Sequence, residues 1–344
     1  MSADFEARKK DHIRLSLDPK NQAEEGNGLN KVKLTHQALP DLNLSDINLT
    51  TKVLGKNRPT PFFVSSMTAG HSGSGEINKN LCQAASLNGW MVCVGSQRRE
   101  LFDKDAGKEW KELRSLFPDL PLISNIGLAQ AIESPTDQIK KLVDNLNAEA
   151  LIIHCNILQE CIQPEGTPNF KGGMQAIEGL AKSLSVPVIV KETGCGFSSN
   201  DYLKLMETSA SVVDVSGYGG THWGRIEGAR SGEKAKENGA KFSKTSKVFK
   251  NWGISTYDSL MAARTIKFSK EIWVSGGLET GLDAAKGLCL GASAAGYAGA
   301  LLKDAVVSGE AVSKKMNQIV EELKVAMICT NSQSIKDLTI DKIG

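Results

Sequence analysis

Short apolar, β-rich runs recur eight times between residues 61 and 299, and longer segments with helical spacing separate them. Segments such as INKNLCQAASLNG and GLDAAKGLCLGA have the apolar periodicity of amphipathic helices. This alternation predicts βα units and a parallel sheet. The runs are PFFVSSM (61–67), MVCVGS (91–96), PLISNIG (121–127), ALIIHCN (150–156), PVIVKE (187–192), SVVDVSG (211–217), EIWVSGG (271–277) and SAAGYAG (293–299).

Eight βα units over about 240 residues match an α/β fold of the (β/α)₈ TIM-barrel type in number and size. A doubly wound open sheet is the alternative architecture. We expect a single domain spanning 1–344. It divides into a short N-terminal arm and extension (1–59), a barrel core (60–305) and a C-terminal helical segment (306–344).

Composition narrows the functional classes. Of the 344 residues 40% are apolar, which is enough for a sizeable core, and the net charge of +2 argues against a nucleic-acid binder. The charged start MSADFEARKKDHIRLSLD shows no signal peptide, and no apolar run reaches membrane-spanning length. Seven cysteines without a disulfide framework predict a reducing, cytoplasmic setting.

Polar side chains follow each of the first six runs. The densest stretch, HCNILQECIQPEG (154–166), places a histidine, several amides and two carboxylates directly after the apolar ALII. Because a barrel forms its active site at the carboxyl ends of its strands, these groups are predicted to converge on one site.

The last two runs end in glycine rather than in polar side chains. Gly276 and Gly277 close the seventh run, and Gly296 and Gly299 frame the end of the eighth. Loops after strands seven and eight of a barrel commonly bind phosphate through backbone N–H groups. The pattern predicts a phosphate site, with simple turn chemistry as the alternative.

Lys191 ends the fifth run and would point a cation into the barrel mouth. A buried lysine needs a partner. An anionic cofactor ring is one candidate, and a salt bridge to a barrel carboxylate is the other.

Residues 225–250, RIEGARSGEKAKENGAKFSKTSKVFK, have no apolar period and are rich in Lys, Gly and Ser. This composition predicts a solvated flexible loop. The alternative is a mobile lid over an anionic ligand.

A set of motifs resembles the type 2 isopentenyl-diphosphate isomerase family over residues 8 to 302, nearly the whole chain. The HxNxxQE core with its trailing QPEG is the most specific of them. The motifs are RKKDH, SSMTAGHSGSGEINKNL, VGSQRREL, SNIGLAQ, HCNILQECIQPEG, VKETGCGFS, DVSGYGGTHW, WGISTYDSL and SGGLETGLDAAKGLCLGA.

The resemblance implies an FMN-dependent isomerase that interconverts isopentenyl and dimethylallyl diphosphate by adding a proton to one carbon and removing one from another. It also implies reduced FMN and Mg²⁺ as cofactors, NADPH as reductant, and a homo-oligomer of four or eight subunits. Because adjacent residues at a strand end point to opposite sides, Glu160 and Gln159 are expected to have separate duties.

Site residues follow from the resemblance position by position. It implies a Mg²⁺ ligand at Glu160 and a catalytic group of Gln159, His154 and Asn156. The implied substrate contacts are Arg8, Lys9, His12, Ser96, Gln97, Arg98 and Gln159. The implied FMN contacts are Met67, Thr68, Ala69, Ser96, Asn125, Lys191, Ser216, Thr221, Gly276, Gly277, Leu278, Ala298 and Gly299.

Two positions depart from the family pattern. Ala69 stands where the family usually has a second glycine in MTGG, and Tyr218 stands where it usually has the arginine of SGRGGT. Both departures concern the detailed flavin environment and not the reaction.

Two rival functions remain open. An FMN-dependent 2-hydroxy-acid oxidase or dehydrogenase on a related barrel would need a histidine base and arginines that bind a carboxylate, and His222 with Arg225 is the nearest such pair. A non-catalytic flavin- or phosphate-binding protein is the second rival, and the presence of Gln159 and Glu160 argues against it.

Overall fold

The computed structural model of the chain describes residues 3–67, 74–103, 105–233 and 244–344, with backbone only for 3–7, 232 and 233. The strands are β1 (Thr51–Val53), β2 (Lys56–Arg58), β3 (Phe62–Val64), β4 (Met91–Cys93), β5 (Leu122–Gly127), β6 (Leu151–Cys155), β7 (Val188–Glu192), β8 (Val212–Asp214), β9 (Glu271–Val274) and β10 (Ala294–Tyr297).

Helices follow the barrel strands and surround them. They include α1 (Ala3–Ser16), α2 (Ser74–Asn88), α3 (Gly107–Leu116), α4 (Leu128–Glu133), α5 (Thr136–Leu146), α6 (Ile157–Ile162), α7 (Gly173–Ser183), α8 (Ser199–Met206), α9 (Trp223–Glu233), α10 (Thr256–Thr265), α11 (Gly281–Cys289), α12 (Gly299–Ala305) and α13 (Gly309–Cys329). Short 3₁₀ turns lie at Pro19–Asn21, Leu29–Lys31, Leu44–Asp46, Gln97–Leu101, Ile335–Asp337 and Ile340–Lys342.

Strands β3 to β10 form a closed parallel barrel, which confirms the predicted fold. Each of the eight predicted runs contains one barrel strand. The sheet closes because β10 pairs with β9 on one side and with β3 on the other, where Tyr297 lies opposite Val64. The open-sheet alternative is therefore wrong.

The barrel interior is filled by large apolar side chains from alternate positions. Phe63, Ile189 and Trp273 belong to this buried cluster, and Val53 from the β1–β2 hairpin joins it. A Cβ at Gly296 would come within 2.3 Å of the Phe63 ring. Gly296, which the sequence pattern placed at the phosphate loop, is thus required by core packing.

The segments outside the barrel pack on it and on each other. Helix α1 lies against α9 at the carboxyl end of the barrel, and α13 packs against α2 and α11. The backbone of Thr35 bonds to that of Lys342, and Gly344 bonds back to Lys33, so the N-terminal extension and the C-terminal tail are joined.

All seven cysteines are free thiols. Among the described residues, no helix combines the length and apolar character needed to span a membrane.

Candidate active site

A cavity of about 420 Å³ opens at the carboxyl ends of the barrel strands, with α1 forming one of its walls. The structure brings most of the predicted site residues to this cavity. Those that line it are Arg8, Lys9, His12, Met67, Ser96, Arg98, Asn125, His154, Asn156, Gln159, Glu160, Lys191, Ser216, Thr221, Gly276, Gly277, Leu278, Ala298 and Gly299. Thr68 and Ala69 lie outside the described residues.

One side of the cavity, here called the glycine wall, consists of Gly276, Gly277, Ala298 and Gly299 at the ends of β9 and β10. Gly276 and Gly277 have φ of +98° and +73°, and a Cβ on either would lie 2.3 Å from a backbone oxygen of the loop after β8. The two glycines are therefore needed for close packing of two loops. A Cβ at Gly299 would meet only Thr221 Oγ1, at 3.5 Å, so the wall is less crowded there.

The opposite side, here called the charged wall, consists of Arg8, Lys9, Arg98 and Glu160, and Glu227 is buried behind it. Burial together with the charges of Arg8 and Arg98 lowers the pKa of Lys9 to about 8. Burial also lowers the pKa of Arg8. Cations that lose proton affinity by being buried together are stabilised by an anion, so this wall suits a multiply charged anionic ligand.

Asn156, Gln159 and Glu160 are brought together by α6, which starts directly after β6. Asn156 Nδ2 donates to Gln159 Oε1 at 3.1 Å and to Glu160 Oε1 at 3.0 Å. Gln159 and Glu160 were expected to have separate duties because adjacent residues of a strand point to opposite sides. That reason is wrong, since both residues lie on a helix. Their partners nevertheless differ.

Glu160 is buried, and its Oε2 accepts hydrogen bonds from Gln163 Nε2 and the backbone N–H of Thr167. Gln159 Nε2 instead donates to Glu227 Oε1 at 2.9 Å. The two neighbours thus share Asn156, but their other hydrogen-bond partners differ.

Glu227 and Arg230 support the site from behind its lining residues, and the sequence pattern did not reveal them. Residues 225–233 form part of α9, in which both side chains are fully buried, so the prediction of a solvated loop is wrong for this part of 225–250. Positions 234–243 lie outside the described residues. The only signal in the sequence is Ile226 next to Glu227, too short an apolar pattern to indicate a buried helix face.

Glu227 joins three elements. Its Oε1 accepts from His12 Nε2 at 2.8 Å as well as from Gln159, and its Oε2 accepts from Arg230 Nε at 2.8 Å. Arg230 also bonds to Glu165 of the QPEG loop at 2.9 Å. Burial alone would raise the pKa of Glu227, but the hydrogen bond from His12 and the charge of Arg230 outweigh it and hold the pKa at about 2.

His154 lies beside Asn125 at the ends of β6 and β5. Its Nδ1 is 2.8 Å from Asn125 Oδ1, and Asn125 Nδ2 donates to the backbone oxygen of Val94 at 3.1 Å. Burial, together with the charges of Lys9 and Lys191, lowers the pKa of His154 to about 3. His154 is therefore neutral at physiological pH.

Gln97 does not line the cavity, which contradicts its predicted role as a substrate contact. Its side chain is 1% exposed. Gln97 Oε1 accepts from Ser124 Oγ and from the backbone N–H of Asn125, and its Nε2 donates to Glu100 and to the Leu142 oxygen. The chain turns into a 3₁₀ helix at this point, which directs Gln97 inward while Ser96 and Arg98 face the cavity.

For Lys191, the predicted salt bridge to a barrel carboxylate is confirmed, and the predicted contact with a cofactor ring stays a prediction. Lys191 lines the cavity, and its Nζ lies 3.3 Å from Asp214 Oδ2 inside the barrel. Asp214 in turn accepts from Ser275 Oγ at 2.6 Å. The salt bridge holds the ammonium at the cavity wall.

Three further residues line the cavity and carry buried polar atoms without a hydrogen-bond partner among the described residues: Ser65 Oγ, Ser66 Oγ and Gln130 Nε2. Buried donors and acceptors are nearly always paired in native proteins, so unpaired ones at a cavity wall indicate a bound polar group. Together with the glycine wall and Lys191, these atoms would fit a flavin mononucleotide.

A metal ion would have to be shared with a ligand. No group of three or more His, Cys, Asp or Glu side chains placed to hold a metal occurs in the described part of the chain. Mg²⁺ usually takes one or two protein carboxylates and completes its shell with water and phosphate oxygens. Glu160, buried at the charged wall, fits that mode.

The histidine and arginine required by the oxidase alternative do not reach the cavity. His222 does not line it, and its Nε2 lies 3.1 Å from the Trp252 backbone oxygen. Arg225 Nε donates to the Lys250 oxygen at 2.7 Å. Tyr218, the departure from the family arginine, is also absent from the lining and bonds to the N-terminal extension at Glu24 N.

Comparison with known proteins first defines the class. Residues 106–344 match the family described as FMN-dependent dehydrogenase, which covers more than half of the chain. Among solved structures, a mandelate oxidase variant with (S)-mandelic acid superposes with a TM-score of 0.65 over 99% of this chain and 97% of its own, at 15% identity. At that identity the likeness shows the fold alone.

Closer relatives define the particular family. The chain is 51% identical to an isopentenyl-diphosphate delta-isomerase of Legionella pneumophila (strain Corby) over 97% of its length and 96% of that protein. It is 46% identical to one of Bdellovibrio bacteriovorus over 99% of its length and 98% of that protein. The chain belongs to the isopentenyl-diphosphate delta-isomerase family of enzymes.

Proposed function

We propose that the chain is a flavin-dependent isomerase that interconverts isopentenyl and dimethylallyl diphosphate with reduced FMN and Mg²⁺. The observation that carries the proposal is the cavity with its two dissimilar walls. The glycine wall suits the cofactor phosphate, and the charged wall suits a second, more highly charged anion. Among the wall residues, three cations face the single carboxylate Glu160, and this excess suits a diphosphate better than the one negative charge of a 2-hydroxy acid.

The charged wall binds and orients the substrate in this proposal. Arg8, Lys9 and Arg98 supply positive charge to the diphosphate, and Glu160 shares a Mg²⁺ ion with its oxygens. Helix α1 closes this side, since His12 bonds to Glu227 of α9. Closure excludes water from the hydrocarbon end of the substrate.

Proton transfer requires polar groups at the alkene that are held in fixed orientations. The Gln159 amide is fixed at both ends, because its Oε1 accepts from Asn156 and its Nε2 donates to Glu227. The pKa of about 2 for Glu227 means that it stays an acceptor at neutral pH. Gln159 therefore presents one constant face to the substrate.

Bound reduced FMN would supply negative charge beside the cation-like carbon and a nitrogen able to give and take the proton. Lys191 is placed to stabilise that negative charge, since Asp214 holds its ammonium at the wall. The reaction has no net redox change, so NADPH is needed only to reduce the flavin initially. We further propose that the protein is cytoplasmic and forms a homo-oligomer of four or eight subunits. Light scattering after gel filtration measures the number of subunits directly.

The test is conversion of isopentenyl diphosphate by the purified protein, with FMN, Mg²⁺ and NADPH each omitted in turn. We expect product only when all three are present, and we expect dithionite to replace NADPH. A parallel reaction with lactate or mandelate should consume no oxygen. Flavin-dependent oxidation of either acid without isomerisation would favour the oxidase alternative.

A further inference from the structure

We propose that His154 is a fixed hydrogen-bond acceptor for the N3–H of the flavin, set in that state by Asn125 and Gln97. The inference rests on the proposed use of FMN. It assigns His154 to recognition of the cofactor instead of to proton transfer.

The hydrogen bonds around Asn125 fix the tautomer. Asn125 Nδ2 is committed to the Val94 oxygen, which turns Oδ1 toward His154 Nδ1. An amide oxygen only accepts, so the imidazole must carry its hydrogen on Nδ1. Neutral His154 then has a lone pair, and no hydrogen, on Nε2.

Gln97 holds Asn125 in this orientation. Its fully buried Oε1 accepts from the Asn125 backbone N–H at 3.1 Å and from Ser124 Oγ. Its amide N–H groups are held by Glu100 and the Leu142 oxygen. Gln97 is therefore a positioning residue that acts through Asn125.

The chemistry of the two ligands identifies the donor that meets Nε2. An ionised isoprenyl diphosphate has phosphate oxygens and hydrocarbon but no N–H or O–H group. A flavin has an N–H between two carbonyl groups on its pyrimidine ring. A permanent acceptor in this cavity is complementary to the flavin and not to the substrate.

Strand register places the acceptor next to a cation. His154 is the cross-strand partner of Lys191 on β7 and of Gly127 on β5. In-register residues of neighbouring parallel strands point the same way at a spacing of about 4.8 Å. The negative charge of a reduced flavin is shared by N1 and the C2 carbonyl, so an ammonium that stabilises it would lie at that carbonyl. The adjacent donor on the pyrimidine edge would then be N3–H.

A hydrogen-bond donor, Gln130, lies on the other side of His154 from Lys191. Gln130 lines the cavity with an unpaired, buried Nε2. A Cβ at Gly127 would lie 2.4 Å from Gln130 Oε1 and 3.1 Å from His154 Nε2, so the two side chains converge over this glycine, and the unpaired Nε2 is the donor of the same amide. Amide, imidazole and ammonium thus give a donor, an acceptor and a donor, the complement of C4=O, N3–H and C2=O.

The experiment measures binding of FMN and of 3-methyl-FMN to the full-length, flavin-free protein by quenching of flavin fluorescence. The wild type should bind 3-methyl-FMN about tenfold more weakly than FMN, which corresponds to ~1.4 kcal/mol. The His154→Phe variant keeps a ring in place. Its affinity for FMN should fall about tenfold while its affinity for 3-methyl-FMN changes little, so the two affinities become similar. In the Asn125→Leu variant the affinities for FMN and 3-methyl-FMN should also become similar.

Gln138→Met on the exposed face of α5 is the control and should keep the wild-type ratio. Equal affinity of the wild type for the two flavins, or an unchanged ratio in His154→Phe, would overturn the inference and leave the isomerase proposal intact. If the wild type binds neither flavin, the proposed function itself fails.

Discussion

The glycine wall and the charged wall of the cavity are built in different ways. The glycine wall comes from two neighbouring strands, β9 and β10, and its shape is fixed by close approach of backbone to backbone. The charged wall comes from α1, α6 and the turn after β4, and it is held by side-chain hydrogen bonds to the buried Glu227 of α9. The first is part of the barrel, whereas the second is assembled on top of it.

Because the two walls are built differently, they should respond differently to substitutions and to pH. Backbone packing at the glycine wall is sensitive to added volume but indifferent to pH. The charged wall tolerates small changes in volume but depends on keeping each buried charge paired. Four predictions test this contrast, beginning with the largest expected effect.

Glu227→Gln should destabilise the protein by about 3 kcal/mol, because it removes one partner of a buried ion pair with Arg230. Urea denaturation measures the loss. Glu165→Gln is the matched control, since Glu165 bonds to the same arginine but its side chain is 47% exposed, and it should cost less than about 1 kcal/mol. Equal losses in the two variants would mean that the network is not centred on Glu227.

Glu160→Gln should raise the Mg²⁺ concentration needed for half-maximal rate by about tenfold or more, since it removes the carboxylate charge while keeping the side-chain shape. FMN retention should be unchanged. A Mg²⁺ titration of the initial rate measures the shift. Glu165→Gln should show the wild-type dependence on Mg²⁺. If Glu165→Gln raises the Mg²⁺ requirement and Glu160→Gln does not, the metal ligand would be Glu165.

Gly277→Ala should weaken FMN binding about tenfold, because φ is +73° and the new Cβ would lie 2.3 Å from the Gly219 oxygen. Gly291→Ala is the control. Its φ of +105° imposes similar backbone strain, but nothing lies within 4 Å of the added Cβ. If both variants bind FMN like the wild type, the glycine wall does not shape the cofactor site.

Substrate affinity should fall as the pH rises through about 8, by less than tenfold up to pH 9. Lys9 has a lowered pKa of about 8, so it is charged below that pH and loses its attraction for the diphosphate above it. Dissociation constants for isopentenyl diphosphate between pH 7 and 9 measure the effect. Lys9→Met should bind more weakly and lose this dependence, while a pH profile identical to the wild type would exclude Lys9 as its source.

Local sequence patterns predicted the glycine wall, whereas the lining residues of the charged wall followed only from the resemblance and the residues behind it from neither. Strand alternation and paired glycines at strand ends are local patterns, and they placed all eight barrel strands and Gly276 and Gly277 at the cavity. Glu227 and Arg230 have no local signature, because their burial depends on contacts with His12 and Glu165 far along the chain.

Gln97 shows the limit of reasoning by motif. Its neighbours Ser96 and Arg98 both line the cavity, so a contiguous motif suggested that Gln97 does too. The 3₁₀ turn rotates successive side chains by roughly 120° and sends Gln97 into the core. Only the backbone geometry distinguishes the three.

The most direct test of the central claim is the stoichiometry of reductant to product. The FMN-loaded protein is reduced anaerobically with one equivalent of NADPH, and isopentenyl diphosphate and Mg²⁺ are then added in excess. An isomerase without net redox chemistry should form dimethylallyl diphosphate in many-fold excess over the NADPH consumed. Formation of one product per NADPH, or no isomerisation by the reduced protein, would contradict the account.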